Sequence, residues 1–176
     1  KHFEYVWLAA NLDHLPRPGD RSETLNRQVV SSMGVFRFSG QEEIIKFETE
    51  QKVEIPGYSQ LEEPPLYYLA AAVPLKFLKN SNIEVQLIAA RFVSLLFYLL
   101  TILSAWGIAR LLTAKDHPLR WMLPLSLGFL PAFTDLMTAV NSATAAIGVA
   151  SLFLWAAVSL LRRGFSLFSF LGLIFN

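Results

Sequence analysis

The apolar positions of this chain change their spacing as it proceeds. Over the first part they recur every three or four residues between polar ones, and from about residue 85 they merge into long blocks. Phe3, Val6, Trp7 and Ala10 lie at helical spacing until Pro16, Pro18 and Gly19 break the pattern, which predicts a short amphipathic helix over Phe3 to Leu12. Asp20 followed by Glu23 has capping-box spacing, Leu25, Val29 and Met33 share one side, and Gly34 stands at the expected end. A second helix is therefore predicted over Arg21 to Met33. From Phe36 to Gln60, acidic residues and mixed periodicity predict loop, with a strand where Val53 and Ile55 alternate with charge.

Pro64 and Pro65 open the next segment, and Pro65 suits a first helical position, where its missing N–H leaves no bond unmade. The apolar stretch to Leu78 is about fourteen residues long, below the roughly twenty that a bilayer crossing needs. With Lys76 and Lys79 at its end, it is expected to lie at the interface or re-enter, a level that Tyr67 and Tyr68 suit. Three spans are predicted after it: Ile88 to Leu112, Trp121 to Val140 and Ser142 to Leu161, with a fourth beginning at Phe165.

Charge sharpens this division. Before position 85 there are nine Lys/Arg and twelve Asp/Glu, and after it six and two. The expected architecture is an all-α polytopic membrane protein, with an extracytoplasmic loop region over residues 1–84 bearing juxtamembrane helices and a transmembrane region over residues 85–176. Arg110, Lys115 and Arg120 fall between the first two spans, and Arg162 and Arg163 follow the third, so those ends are expected in the cytoplasm of a cell-membrane protein. The region before Glu84 and the turn from Asp135 to Asn141 then face the other side. The missing initiator methionine and the closing apolar run Phe165 to Phe175 lead us to expect a piece of a longer polypeptide.

Composition agrees and removes several function classes. Hydrophobic residues make up 53% and charged residues 16%, a membrane composition. A net charge of +1 with no concentrated basic face argues against a nucleic-acid partner. The absence of cysteine removes disulfides, thiolate nucleophiles and Cys-based zinc sites. Lys1 to Leu12 carries Glu4 and lacks the apolar centre of a signal peptide.

Carboxylates in the outer region are where an extracytoplasmic enzyme would place a general base, and Glu4, Glu62 and Glu63 are the candidates there. The competing reading of each is a solvated surface charge. Asp135, near a span end, is a fourth candidate, since acids at such positions face a cavity or partner unless they serve the turn. Arg91 can snorkel or clamp a lipid phosphate with its fixed fork of donors, and Asn141 can cap the third span. His2 and His14 with Glu4 form no recognisable ligand spacing, so no metal site is expected. His117, in the turn between the first two spans, is expected to be interfacial.

Pro64-Pro65-Leu66-Tyr67-Tyr68-Leu69, Ala90-Arg91-Phe92-Val93-Ser94, Phe129-Leu130-Pro131-Ala132-Phe133 and Val140-Asn141-Ser142-Ala143, in that order, resemble the lipid-linked-sugar glycosyltransferases of the GT-C fold. These include the protein mannosyltransferase branch that uses dolichyl-phosphate mannose and the aminoarabinose-transferase branch. His2-Phe3-Glu4-Tyr5 looks like the continuation of the family's first outer loop, past its acidic motif. The family's first helix and principal catalytic aspartate are therefore expected upstream of Lys1. At Ser142, where many relatives carry aspartate, the carboxylate is absent.

The resemblance implies transfer of a sugar from a polyprenyl-phosphate donor to a hydroxyl or amine on the outer face, with a loop carboxylate as base and cations holding the phosphate. Expected catalytic residues are Glu4, Glu62, Glu63 and Asp135, and expected binding residues are Arg91, Asn141 and Tyr67. The partners implied are membrane lipid and the lipid-linked sugar, and the residues specify no cofactor. The rival reading is a non-catalytic subunit whose outer loop docks other membrane proteins. A transporter fits less well, because the spans carry no charged path through their middles.

Overall fold

The computed structural model describes residues 1–35, 53 and 57–163, and the regular secondary structure among those residues is all helical. The expected strand at Val53 and Ile55, most of the Phe36 to Gln60 loop and the fourth span lie largely or wholly outside the described residues. Seven helices are present among the described residues: α1 (His2–Asn11), α2 (Glu23–Val35), α3 (Leu66–Phe77), α4 (Ile83–Leu112), α5 (Leu119–Phe129), α6 (Pro131–Thr138) and α7 (Ser142–Arg163). They fall into two compact units, residues 1–93 with 140–142, and residues 94–139 with the chain from 143 onward.

In the first unit, α1 stops where Leu12 turns extended and its N–H bonds the Leu8 carbonyl at 2.8 Å. The following turn is closed by Asp20, whose carboxylate accepts the Arg17 N–H at 2.8 Å while its own N–H bonds the Arg17 carbonyl at 3.0 Å. Gly19, at φ +102°, supplies the left-handed residue this turn needs. Asp20 is thereby occupied, and the cap of α2 is Ser22, whose hydroxyl accepts the Leu25 N–H at 3.2 Å. The second helix thus starts at Glu23, two residues later than expected, and it includes Gly34 instead of ending before it.

α3 packs on α1. It buries Tyr67, Tyr68, Ala71, Ala72 and Leu75 against Tyr5, Val6 and Leu8 to Ala10. Each fully buried large side chain is worth about 1.5–3 kcal/mol of transfer free energy. The opposite face of α3 leaves Leu66, Leu69, Val73 and Phe77 exposed. At 12 residues it is about 18 Å long, too short to cross a bilayer, as expected.

α4 and α7 are long and apolar enough to cross a membrane, over Ile83–Leu112 and Ser142–Arg162. Along α4 the exposed residues include Val85, Ile88, Phe92, Leu96, Leu99 and Leu103, a continuous stripe at helical spacing. The buried residues are largely small or polar: Gln86, Ala90, Ser94, Thr101, Ser104, Ala105 and Ala109. This pattern reverses that of a water-soluble helix and matches helices whose large apolar side chains face lipid while small residues meet protein. The Thr101 and Ser104 hydroxyls donate to the carbonyls of Phe97 and Leu100, at 3.0 and 2.7 Å, so their polarity is satisfied within the helix.

In the second unit the expected span from Trp121 to Val140 is two helices. α5 ends at Phe129, Leu130 is extended, and Pro131 starts α6. The cause is chemical, since Pro131 has no N–H for the Leu127 carbonyl. The Tyr98 hydroxyl, from α4, lies 3.2 Å from that carbonyl and 3.0 Å from the Gly128 carbonyl, to which Thr134 also donates at 3.2 Å. Side chains thus replace the backbone bonds that the proline removes. At the other end of α5, Arg120 donates to the carbonyls of Arg110 and Thr113 at the end of α4, and the Arg110 guanidinium lies 4.6 Å over the Trp106 ring.

Candidate functional site

One polar cluster in the first unit centres on Glu63. A tight turn brings it there: the Glu63 N–H bonds the Gln60 carbonyl at 3.0 Å, and Gly57, at φ +134°, passes the Lys1 side chain so closely that an added Cβ would sit 3.2 Å from it. Pro64 and Pro65 then fix the direction of the chain into α3. One turn on, Tyr68 reaches back, and its hydroxyl donates to Glu63 Oε2 at 2.6 Å. Ser142, the first residue of α7, donates its hydroxyl to the same oxygen.

The cluster continues through Tyr68 to α1. His2 Nδ1 lies 2.8 Å from the Tyr68 hydroxyl oxygen. The Tyr5 ring stacks on Tyr68 at 4.1 Å and 13°, and Tyr67 meets it edge-on at 5.3 Å. Tyr68 itself is completely buried. A short α1 and a short α3 are what allow this: their packing places a phenol as a bridge between an imidazole at one helix start and a carboxylate just before the other.

Electrostatics follow the bonding. The hydrogen bonds from Ser142 and then Tyr68 hold the Glu63 carboxyl below its ordinary value of 4.5, against a smaller opposing effect of burial, so it is ionised at neutral pH. Burial, and next the Glu63 hydrogen bond, push the Tyr68 phenol far up, so it keeps its proton. Burial also lowers His2 below 6.5, outweighing the attraction of Glu63, so the imidazole is neutral at pH 7.

Of the residues expected from sequence, Glu63, Tyr67 and Asn141 are in or beside this cluster. Asn141 is buried and adjacent to Ser142. Glu4 is ion-paired with Lys1 at 3.0 Å, and Glu62 is exposed next to Glu63. Arg91 is exposed on α4, and among the described residues no hydrogen bond or ion pair ties it to Glu63. Asp135 is exposed on α6 and belongs to the second unit. His14 lies 3.3 Å from Asp20, and among the described residues no three His, Asp or Glu side chains group as metal ligands.

Sequence reading passed over Tyr68 as a polar bridge, Ser142 as a donor and His2 as anything but a metal ligand. The one signal within reach was the short step from Glu63 to Tyr68, which places them a turn apart once Pro65 starts the helix. The same unit also holds an open cleft of about 720 Å³, lined among others by Trp7, Arg27, Ser32, Lys79, Glu84 and Gln86. None of the expected site residues lines it. No family model, curated protein or solved structure matches the chain.

Proposed function

We propose that this chain is part of a polytopic membrane glycosyltransferase that moves a sugar from a polyprenyl-phosphate donor to a hydroxyl or amine at the extracytoplasmic face, with the Glu63 cluster in its active site. One observation carries the reading. Three of the stretches on which the GT-C resemblance rests, His2 to Tyr5, Pro64 to Leu69 and Val140 to Ala143, are far apart in sequence, yet each sends a side chain into the same hydrogen-bonded cluster. Residues that share only a membrane setting have no reason to converge in this way.

The membrane part of the proposal is supported by the lipid-type pattern of α4 and by the exposed apolar face of α3, which suits a helix lying in the interface. The Trp106, Arg110, Arg120 and Trp121 group at the turn between α4 and α5 suits a membrane boundary on the cytoplasmic side. The test is release of polyprenyl phosphate by the full-length protein in nanodiscs, given polyprenyl-phosphate mannose and polyprenyl-phosphate aminoarabinose. Glu63→Gln removes the charge but keeps an acceptor, and should lower turnover by about a hundredfold.

The second reading, a non-catalytic membrane subunit, is favoured by Ser142, which stands where many members of the family that the chain resembles carry aspartate. It predicts that the full-length protein releases no polyprenyl phosphate from either donor and that Glu63→Gln changes only its association with other membrane proteins.

A further inference from the structure

We propose that the open cleft of the first unit is a binding site for an uncharged sugar ring. The site is independent of the transferase reading above, since none of the residues of the Glu63 cluster lines it and a non-catalytic subunit would carry it equally well.

Three parts of the first unit build the cleft: Trp7 from α1, one face of α2 from Arg27 to Val35, and the chain from Lys79 through the first turn of α4. Its volume of about 720 Å³ falls within the ~300–1,000 Å³ of small-molecule sites. Its lining does not follow the apolar rule for such sites. Beyond Trp7, Val35 and Ile83, every lining side chain is polar, and most are hydroxyls and carboxamides. A ligand that gains from such walls brings hydrogen-bonding groups of its own.

Gln86 shows which groups are wanted. Its side chain is 3% exposed, its Nε2 donates to the Ser81 carbonyl at 2.9 Å, and its Oε1 has no hydrogen-bond partner among the described residues. A buried acceptor calls for a donor. Two residues earlier, the half-buried Glu84 carboxylate is bonded by the Ser32 hydroxyl and by its own backbone N–H, and it retains further lone pairs. This end of the cleft therefore takes hydroxyl donors.

Phosphate is the competing ligand, because the cleft holds Arg27, Lys79 and the N-terminus of α4. Glu84 decides against it. Its carboxylate already stands at the positive end of the helix dipole, so a second anion would meet its charge there. Arg27 also pairs with Glu23, at 3.8 Å, which takes up part of its charge. An uncharged polyol meets no such repulsion. Trp7 then selects among polyols, because it sets an apolar ring into a polar wall. A hexose is two-sided in the same way, with a face of C–H groups for the indole and a rim of hydroxyls that both donate and accept. Since the apolar run of α4 begins in this wall, the ring belongs either to a glycolipid headgroup or to a free glycan.

The test titrates the full-length protein, in phosphatidylcholine nanodiscs, with the methyl glycosides of glucose, mannose, galactose and N-acetylglucosamine, read by saturation-transfer NMR. At least one should bind, with the strongest transfer to its ring C–H protons. Trp7→Ala and Glu84→Gln should each weaken that binding about tenfold, with unfolding midpoints close to the parent's. Trp7 lies outside the buried core of α1, so its truncation spares the packing on α3. Gln86→Leu removes the unspent acceptor and should weaken binding as well; if it does not fold, the other two variants still decide. Binding of none of the four glycosides, or binding that both variants leave unchanged, overturns the assignment. Glucose 6-phosphate binding more tightly than methyl glucoside overturns it too, in favour of an anion site. A diacylglycerol glycoside of the sugar that binds, placed in the nanodisc, separates the sources: displacement of the soluble glycoside assigns the ring to a lipid headgroup, and no displacement assigns it to a free glycan.

Discussion

Gly107 on α4 abuts the indole of Trp155 on α7: a Cβ added at Gly107 would sit 2.3 Å from Trp155 Cε2. The contact is reciprocated, since a Cβ at Gly148 of α7 would sit 3.1 Å from Phe97 Cδ1 of α4. Position 97 precedes 107 and position 148 precedes 155, so within the second unit the two helices run parallel. The α5–α6 pair is therefore the return path between them.

The contact predicts a graded response to size. Gly107→Ala should cost about 1–3 kcal/mol by overpacking, and Gly107→Leu should prevent a folded preparation unless Trp155 is shortened as well. Thermal unfolding in detergent checks this, and a Gly107→Leu protein as stable as the parent excludes the packing described.

The bridge from Tyr98 to the broken return helix predicts a coupling. Tyr98→Phe leaves the Leu127 carbonyl without its donor and should cost about 1 kcal/mol. Pro131→Ala restores a backbone N–H to that carbonyl, so Tyr98→Phe should cost clearly less in a Pro131→Ala background. A double-mutant cycle with purely additive terms would show that the hydroxyl is not replacing the missing N–H.

Acid should weaken the first unit in two stages. His2 is lowered in the folded state, so its contribution is complete above 6.5 and is lost as pH falls below that value through the folded one. Glu63 is also lowered, so its contribution is complete above 4.5 and is lost on further acidification. Unfolding midpoints measured from pH 8 to pH 3 should decline throughout. Glu63→Gln should flatten only the lower stage, and a midpoint that rises between pH 6.5 and pH 5 contradicts the assignment for His2.

The proposed orientation can be mapped by labelling, because the chain contains no cysteine. Single cysteines at Ser59 and Ala139 should react with an impermeant maleimide from the extracytoplasmic side, and one at Lys115 only after permeabilisation. Labelling of Ser59 and Lys115 from the same side would reverse the orientation proposed for the outer region.

Helix positions were largely legible because capping residues, prolines and apolar periodicity act locally. Leu66–Phe77 is a helix too short to span for reasons visible in Pro65, Lys76 and Lys79. The shift of the α2 cap from Asp20 to Ser22 was harder to see. Both residue types cap helices, and the choice was made by the Arg17 to Asp20 turn, which occupies Asp20 first. The split of the return span was signalled by Pro131, but its length alone suggested one helix. The site was legible only in part. Glu62 and Glu63 are indistinguishable as sequence, and what separates them is a long-range contact with Ser142 that periodicity does not encode.

The separation of 79 residues from Glu63 to Ser142 also places the site on a clock during synthesis. At about 5–20 residues per second, the serine leaves the ribosome roughly four to sixteen seconds after the glutamate. Over that interval the carboxylate has its phenol but not its second donor. Completion of the cluster therefore awaits the arrival of the first residue of α7, and a chain arrested before Ser142 holds Glu63 by Tyr68 alone.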